Sequence, residues 1–111
     1  MSRDSKLYLD DIISAVVAIQ SYTAGYNYQE FVDDRKTVDA VMHNLAIIGE
    51  AATKLSSELK NRMTEIEWRK ITGLRNIVVH EYFGVDEQII WDVIINKLAP
   101  LAAACRRALE E

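Results

Sequence analysis

The sequence predicts an all-α protein, an up-and-down four-helix bundle with a C-terminal helical extension. Half of its 111 residues are hydrophobic, while only four glycines and one proline interrupt them, a balance that favours long helices over a turn-rich sheet. Two segments repeat apolar residues at alternating spacings of three and four, the pattern of a helix with one buried face. A chain of this length supports one core, so residues 1–111 are assigned to a single domain.

The first helix is predicted to begin at a cap formed by Asp4 or Ser5 and to end within residues 22–27. Its apolar stripe, widened by two flanking residues, consists of Leu9, Ile12, Ile13, Val16, Val17 and Ile19. The next stretch, S-Y-T-A-G-Y-N-Y, contains Gly25 and Asn27, which both tolerate positive φ, and is predicted to be a loop. Its three tyrosines could stack on bases, but we expect them to cover the end of the bundle.

The second helix is predicted to be the longest, beginning near Phe31 or Asp34 and ending at about Leu59. Its seam repeats at alternating three- and four-residue spacings through Val38, Val41, Leu45, Ile48, Ala52 and Leu55. Gly49 costs such a helix about 1 kcal/mol relative to alanine, so we expect it to admit a closely packed neighbour. His43 and Asn44 lie beside the seam. A catalytic role is one interpretation of His43, and a half-exposed helix position is the one we expect.

A third helix is predicted to follow a polar connection over residues 59–64, with Thr64 as its N-cap and Glu65 and Glu67 in its first turn. Its predicted core face is Ile66, Trp68, Ile71, Leu74 and Val78. A fourth helix is predicted to begin after the N-cap Asp86. It should bury Ile89, Ile90, Val93, Ile94 and Leu98. Pro100 removes one backbone hydrogen bond and should kink this helix near Asn96, after which residues 101–111 continue helically.

Charge and cysteine content narrow the class of protein. The net charge of −4 argues against a broadly basic nucleic-acid binder but allows a local basic cleft. The single cysteine, Cys105, permits no internal disulfide framework, so a reducing compartment is expected. The N-terminal stretch M-S-R-D-S-K is not an apolar signal segment, and no apolar run is expected to reach the roughly 18 residues of a membrane span. We therefore expect a soluble, cytoplasmic protein without a membrane partner.

The most unusual stretch is I-T-G-L-R-N-I-V-V-H-E-Y-F-G-V-D, residues 71–86. Polar residues whose side chains can bind ligands or take part in catalysis surround a short apolar run. They are Arg75, Asn76, His80, Glu81 and Tyr82. Gly84 is predicted to stop the helix, since glycine accepts a left-handed C-cap at little cost. These side chains are therefore expected at a helix end, where they can reach a ligand.

Helical geometry divides these side chains between two faces. Arg75 and Tyr82 lie about 20° apart around the axis, whereas Arg75 and His80 lie about 140° apart. Asn76 and His80, four residues apart, share a neighbouring face. Arg75 and His80 of one chain would thus converge poorly in a regular helix. A two-fold dimer resolves this, because the same stripe from each subunit can line one shared basic cleft.

This set of side chains suits phosphodiester cleavage without a metal. Arginine grips phosphate bidentately, histidine exchanges a proton near neutral pH, and tyrosine donates a hydrogen bond or stacks on a base. The RNA 2′-hydroxyl would be the nucleophile, His80 the general base or acid, and Arg75 the group that stabilises charge on phosphorus. No cluster of ligands at metal-binding spacing is visible, so no metal and no cofactor is expected. An ion pair and a packing corner at a helix end remain the alternative interpretation.

The string R-N-I-V-V-H-E-Y, Arg75 to Tyr82, resembles the R-X4-H-X-Y motif of the HEPN superfamily, in particular its HepT-like branch of small toxin ribonucleases. Three flanking stretches resemble the same branch in the same order: N-L-A-I-I-G-E-A-A from Asn44, W-R-K-I-T-G-L-R-N from Trp68, and Y-F-G-V-D ending at Asp86. Together with the helical pattern, the resemblance extends over nearly the whole chain. Embedded in these flanks, the motif is specific.

The resemblance implies a HepT-like endoribonuclease toxin of a type VII toxin–antitoxin pair. Arg75 and His80 would then serve RNA cleavage, with Asn76 and Tyr82 binding RNA or supporting the site. The implied partner is an MntA-type nucleotidyltransferase antitoxin that adenylylates Tyr82, placing bulk and negative charge in the cleft. The implied fold is a HEPN-like bundle that dimerises around the motif, and a higher assembly with the antitoxin is left open. The alternative from another class is a catalytically silent bundle that docks a nucleotidyltransferase or RNA.

Overall fold

The computed structural model describes residues 1–79 and 86–111, and side chains for 1–76 and 86–111. These residues contain helices and no strand. In chain order, the helices are α1 (Arg3–Thr23), α2 (Tyr28–Asp33), α3 (Arg35–Lys54), α4 (Ser57–Asn61), α5 (Trp68–Thr72), α6 (Leu74–Val79), α7 (Glu87–Asp92), a π-helical turn (Val93–Lys97) and α8 (Leu98–Glu110). The all-α prediction is therefore confirmed.

Helix α3 is the central element of the bundle. It packs against α1 and, separately, against α5 and α6, while α8 packs against α1. The four predicted helices thus correspond to α1, α3, the pair α5 and α6, and the continuous helical segment from α7 to α8. Because two of the four are made of several elements, all four are called rods below. The C-terminal extension is continuous with the fourth rod, because the π-helical turn joins α7 directly to α8.

The predicted seams form the core. The six predicted seam residues, five in α3 and Leu55 directly after it, are at most 5% exposed, and Leu9, Ile12, Val16 and Ile19 of α1 are fully buried. At about 25 cal/mol per Å² of apolar surface, this burial is the main favourable contribution to folding. The predicted widening of the α1 stripe is right for Ile13, which packs against the core, and wrong for Val17, which is 46% exposed.

The structure corrects the predicted start of α1. The N-cap is Ser2, whose hydroxyl accepts a hydrogen bond from the Ser5 N–H at 3.1 Å. Because Ser2 satisfies this free N–H, the helix begins two or three residues earlier than a cap at Asp4 or Ser5 would allow. Its other end agrees with the prediction, since Thr23 is its last residue and Gly25 has the positive φ of 79°.

The predicted second helix is divided into three. Asn27, at φ −94°, forms a capping box with Glu30 and starts α2. Asp34 ends α2 and caps α3, accepting hydrogen bonds from the Thr37 N–H at 3.2 Å and hydroxyl at 2.7 Å. The expected end at Leu59 is wrong because the chain is already extended at Leu55, and Ser56 caps the separate helix α4. The capping side chains therefore decide where these helices begin and end, even though the apolar spacing continues past those points.

Two tyrosines of the predicted loop cover the bundle, as expected. The Tyr26 hydroxyl donates a hydrogen bond of 2.6 Å to Asp34 Oδ2, which raises the pKa of Tyr26 and lowers the pKa of Asp34. Tyr28 packs edge-on against Trp91 with ring centroids 6.4 Å apart. Tyr22, by contrast, is 44% exposed.

The third predicted helix starts later than expected. Its first residue is Trp68, and Thr64 does not cap it. Glu65 and Glu67 instead serve as ion-pair partners, Glu65 for Arg107 at 2.8 Å and Glu67 for Lys70 at 3.0 Å. The hydrogen bond from Lys70 is the main cause of the lowered pKa of Glu67. Of the predicted core face, Ile66, Ile71 and Leu74 are buried and Trp68 packs against the core, while the Val78 side chain lies outside the described residues.

The fourth rod confirms Asp86 as an N-cap, since its carboxylate accepts a hydrogen bond from the Gln88 N–H at 2.9 Å. Ile90, Ile94 and Leu98 are buried and Val93 packs partly against the core, but Ile89 is 52% exposed, so its predicted burial is wrong. Around Asn96, where a kink was predicted, the chain forms a π-helical turn, in which the Leu98 N–H donates a hydrogen bond to the Val93 carbonyl. Pro100 provides no N–H for the ordinary bond to Asn96, and the wider turn accommodates that loss.

The continuous track Glu87–Glu110 also qualifies the expectation about membranes. Among the described residues it is long and apolar enough to cross a bilayer by length and composition, with a mean hydropathy of 1.3. One side of it is buried in the bundle, including Ile94, Leu101 and Cys105, as in the core helix of a bundle. Burial raises the pKa of the Cys105 thiol to about 12.

Candidate active site

Arg75 lies at the start of α6, directly after the break between α5 and α6. Leu74, the residue before it, is buried, whereas the Arg75 side chain is 51% exposed. Asn76 is exposed as well, and its N–H donates a 3.0 Å hydrogen bond to the Gly73 carbonyl. Leu74 therefore anchors this segment in the core while the two polar residues of the motif reach solvent.

Arg75 also lies very close to the backbone of α3 at Gly49. A Cβ atom placed on Gly49 would lie 2.8 Å from Arg75 Cγ and 2.9 Å from the Arg75 backbone nitrogen. Real Cβ atoms do not come so close to such neighbours, so only glycine fits this position. The predicted use of Gly49, to admit a neighbouring helix, is confirmed.

The next residue of α3 binds the arginine head group. Glu50 Oε2 lies 3.1 Å from Arg75 Nε, and both side chains are about half exposed. The other carboxylate oxygen of Glu50 lies 3.8 Å from Lys54 Nζ, one turn along α3. Sequence reasoning assigned Glu50 no role. Its position directly after Gly49, within the stretch that resembles the HepT-like branch, was the signal available.

Two other polar residues of α3 have ordinary surroundings. His43 is exposed and lines a shallow depression of about 310 Å³ between α1 and α3, with Glu50 and Lys54 on the same rim. The Asn44 side chain donates a hydrogen bond of 2.9 Å to the Ala40 carbonyl of its own helix, a common local bond for this residue type. The exposure of His43 agrees with the surface interpretation expected of it.

The remaining motif residues lie outside the described residues. His80, Tyr82 and the predicted helix stop at Gly84 fall within the range 80–85. Their convergence with Arg75 therefore stays a prediction. In the described parts of the chain, no group of three or more His, Cys, Asp or Glu side chains is placed to hold a metal ion.

A second surface feature lies on the other side of α5. A groove of about 570 Å³ separates α5 from the π-helical turn, with Ile71, Leu74 and Val93 among its apolar lining residues. Charged residues at its rim pair with one another, since Glu67 lies 3.0 Å from Lys70 and 3.5 Å from Lys97. Arg75 is likewise paired, with Glu50, so what distinguishes Arg75 from the groove is its place in the R-X4-H-X-Y stretch.

The fold and the site together define the class of protein. It is a small helical bundle with an exposed arginine, Arg75, and this arginine begins a sequence motif that also contains Asn76, His80 and Tyr82. The chain belongs to the HepT-like ribonuclease family, whose model, Ribonuclease HepT-like, matches residues 12–108. This supports an RNase role and the expected HEPN-like bundle.

Similar proteins have names that agree with this family. A protein of Methanocaldococcus jannaschii named as a candidate RNase is 35% identical over 86% of this chain and 79% of its own length. A protein of Thermococcus cleftensis named as a probable ribonuclease HepT is 37% identical over 91% of this chain and 92% of its own. A third, named as a candidate RNase in Caldanaerobacter subterraneus, is 31% identical over 94% and 93%. No solved structure gives a significant match.

Proposed function

We propose that this protein is a metal-independent endoribonuclease that cleaves RNA with Arg75 and His80. The observation that carries the proposal is the position of Arg75 at the surface of a chain that belongs to a ribonuclease family. The backbone of Arg75 packs against Gly49, while its side chain is half exposed at the surface. An arginine held in this way can bind a phosphate that arrives from solvent.

The proposed reaction uses the RNA itself as nucleophile. The 2′-oxygen attacks the adjacent phosphorus, the bond from phosphorus to the 5′-oxygen breaks, and the products carry a 2′,3′-cyclic phosphate and a 5′-hydroxyl. His80 moves the proton from the nucleophile or to the leaving group, and Arg75 stabilises the negative charge that develops on phosphorus. Asn76 and Tyr82 bind or support the RNA. No step in this scheme requires a metal.

The decisive experiment is RNA cleavage by purified protein in EDTA. Arg75→Ala and His80→Ala should each abolish cleavage while the melting temperature stays near that of wild type, because the exposed Arg75 contributes little to the core. Arg107→Ala is the matched control for Arg75, since Arg107 is also exposed and paired with a glutamate, Glu65, at 2.8 Å. Strict dependence on added magnesium would reject the mechanism. Intact RNA together with tight binding of a nucleotidyltransferase would favour the silent binding module.

The proposal includes a two-fold dimer. In a regular helix Arg75 and His80 lie about 140° apart, so residues of two subunits can form a cleft that one subunit forms poorly. Light scattering should give twice the mass of the 12.6 kDa chain. Mixing Arg75→Ala with His80→Ala should then restore part of the activity, if one site combines Arg75 of one subunit with His80 of the other. A stable monomer at micromolar concentration would reject the shared cleft.

We further propose that the protein is the cytoplasmic toxin of a two-gene system and that an MntA-type nucleotidyltransferase adenylylates Tyr82. The added AMP would fill the cleft and repel phosphate. Co-expression followed by mass spectrometry should place AMP on the peptide carrying Tyr82. Tyr82→Phe should stay active in the presence of the partner. Tyr22→Phe, which alters a 44% exposed tyrosine, is the control and should still be silenced. AMP found only on another tyrosine would refute the assignment.

A further inference from the structure

We propose that Glu50 is a positioning residue for Arg75, holding the guanidinium by its Nε edge so that its Nη atoms face the phosphate of bound RNA. This rests on the proposed function, in which Arg75 acts on RNA. Glu50 itself does not touch the substrate in this proposal. It acts through Arg75.

The first support is that Arg75 is held at both ends of its side chain. Near the backbone, Arg75 Cγ fits against Gly49, where a Cβ would approach to 2.8 Å. At the head group, Arg75 Nε lies 3.1 Å from Glu50 Oε2. Gly49 and Glu50 are consecutive residues of one long helix, so the same rigid element makes both contacts with Arg75. A long, flexible side chain is thereby restricted without being buried.

The second support is the edge of the guanidinium that Glu50 contacts. Arginine carries five N–H donors, one on Nε and four on the two Nη atoms. A carboxylate that contacts Nε leaves the edge formed by the two Nη atoms outside this contact. That edge can bind two phosphate oxygens in the bidentate geometry that arginine favours. An acidic partner at this point therefore orients the arginine without occupying its phosphate-binding edge.

The third support is that Glu50 is itself held in place. Its Oε1 lies 3.8 Å from Lys54 Nζ, and Lys54 Nζ in turn lies 5.8 Å from the centre of the Tyr8 ring on α1. Contacts of this kind at an exposed surface contribute little to stability. Their effect is to restrain the Glu50 carboxylate at Oε1 while Oε2 contacts Arg75 Nε, and orientation of the arginine requires such a restraint.

The test compares kcat and KM for RNA cleavage in Glu50→Gln, Glu50→Asp and wild type. A misplaced catalytic group typically costs up to about a hundredfold in rate, so we expect Glu50→Gln to lower kcat by roughly ten- to a hundredfold while KM changes little. Glu50→Asp, which keeps the charge, should recover part of the loss. Glu65→Gln is the matched control, because Glu65 is as exposed as Glu50 and pairs with Arg107. It should leave kcat unchanged.

The same substitution in an Arg75→Lys background separates positioning from a general structural effect. Lysine has no Nε edge to orient, so Glu50→Gln should then cause little further loss of its residual activity. An equal loss in both backgrounds would overturn the proposal. So would faster cleavage by Glu50→Gln, because Glu50 would then be competing with RNA for Arg75.

Failure of this proposal can be told apart from failure of the proposed function. Wild type that cuts no RNA rejects the function, whatever Glu50 does. Active wild type with an unchanged kcat in Glu50→Gln rejects the positioning role alone. The ¹⁵Nε–¹Hε signal of Arg75 gives a readout independent of activity. It should shift and exchange faster with water in Glu50→Gln but not in Glu65→Gln, and an unchanged signal would overturn the pairing.

Discussion

Helix α3 contains two regions with different chemistry. Its seam, the six apolar residues spaced from Val38 to Leu55 at the end of the helix, is at most 5% exposed. Its contact with α6, at Gly49 and Glu50, consists of a missing side chain and a half-exposed ion pair. The seam removes apolar surface from water and therefore supplies stability. The Gly49–Glu50 contact supplies little stability but determines where Arg75 lies. Stability and site geometry are thus assigned to different residues of one helix.

The largest expected effect on stability comes from the seam. Leu45 is fully buried, so Leu45→Ala should lower the free energy of unfolding by about 2–5 kcal/mol through lost burial and an unfilled cavity. Urea denaturation followed by circular dichroism measures the change. Arg75→Ala provides the contrast and should unfold close to wild type. If the two variants lose similar stability, the division between seam and site is wrong.

An intermediate effect is expected at Gly49, where the two regions meet. Alanine normally stabilises an interior helix position by about 1 kcal/mol relative to glycine. Here its Cβ would meet Arg75 at 2.8 and 2.9 Å, so Gly49→Ala should instead lose about 1–3 kcal/mol through overpacking. RNA cleavage should fall as well, because α6 or the Arg75 side chain must move. A stabilised variant with full activity would show that α3 and α6 do not approach this closely.

The smallest effect concerns acid stability at the start of α3. The hydrogen bond from Tyr26 is the main cause of the lowered pKa of Asp34, assisted by those from Thr37. A carboxyl group with a lowered folded-state pKa contributes stability that is present above its unfolded pKa, near 3.8, and is lost as pH falls through the lower folded value.

Thermal unfolding between about pH 5 and pH 2 tests this behaviour. Asp34→Asn should melt below wild type at the upper end of that range, and the difference should shrink toward the lower end as Asp34 becomes protonated. Tyr26→Phe should show a similar but smaller trend, because Asp34 keeps its bonds from Thr37. A difference that is constant with pH would mean that the Asp34 charge does not contribute.

Sequence periodicity predicted which helix faces are buried. It predicted the helix ends less well, because short-range hydrogen bonds determine them. The α3 seam was predicted residue by residue and is buried throughout. The helix ends were predicted less well where Ser2 and Ser56 cap a helix, each through one hydrogen bond from a backbone N–H. Asp34, by contrast, was one of the two predicted starts of the second helix, and it caps α3. Several polar residues near each predicted boundary could have formed such a bond, and apolar spacing does not distinguish among them.

The sequence by itself determined the all-α class, the apolar faces of the rods and the family motif, because these depend on residue types at fixed spacing along one chain. It also predicted a close approach at Gly49, which the structure shows, and it singled out Arg75, whose binding of phosphate is part of the proposed function. Only the tertiary structure decided that these two positions meet and that Glu50 is the partner of Arg75. The physical reason is that Gly49–Arg75 and Glu50–Arg75 are contacts between helices. They depend on how α3 and α6 are placed against each other, which periodicity within either helix does not specify.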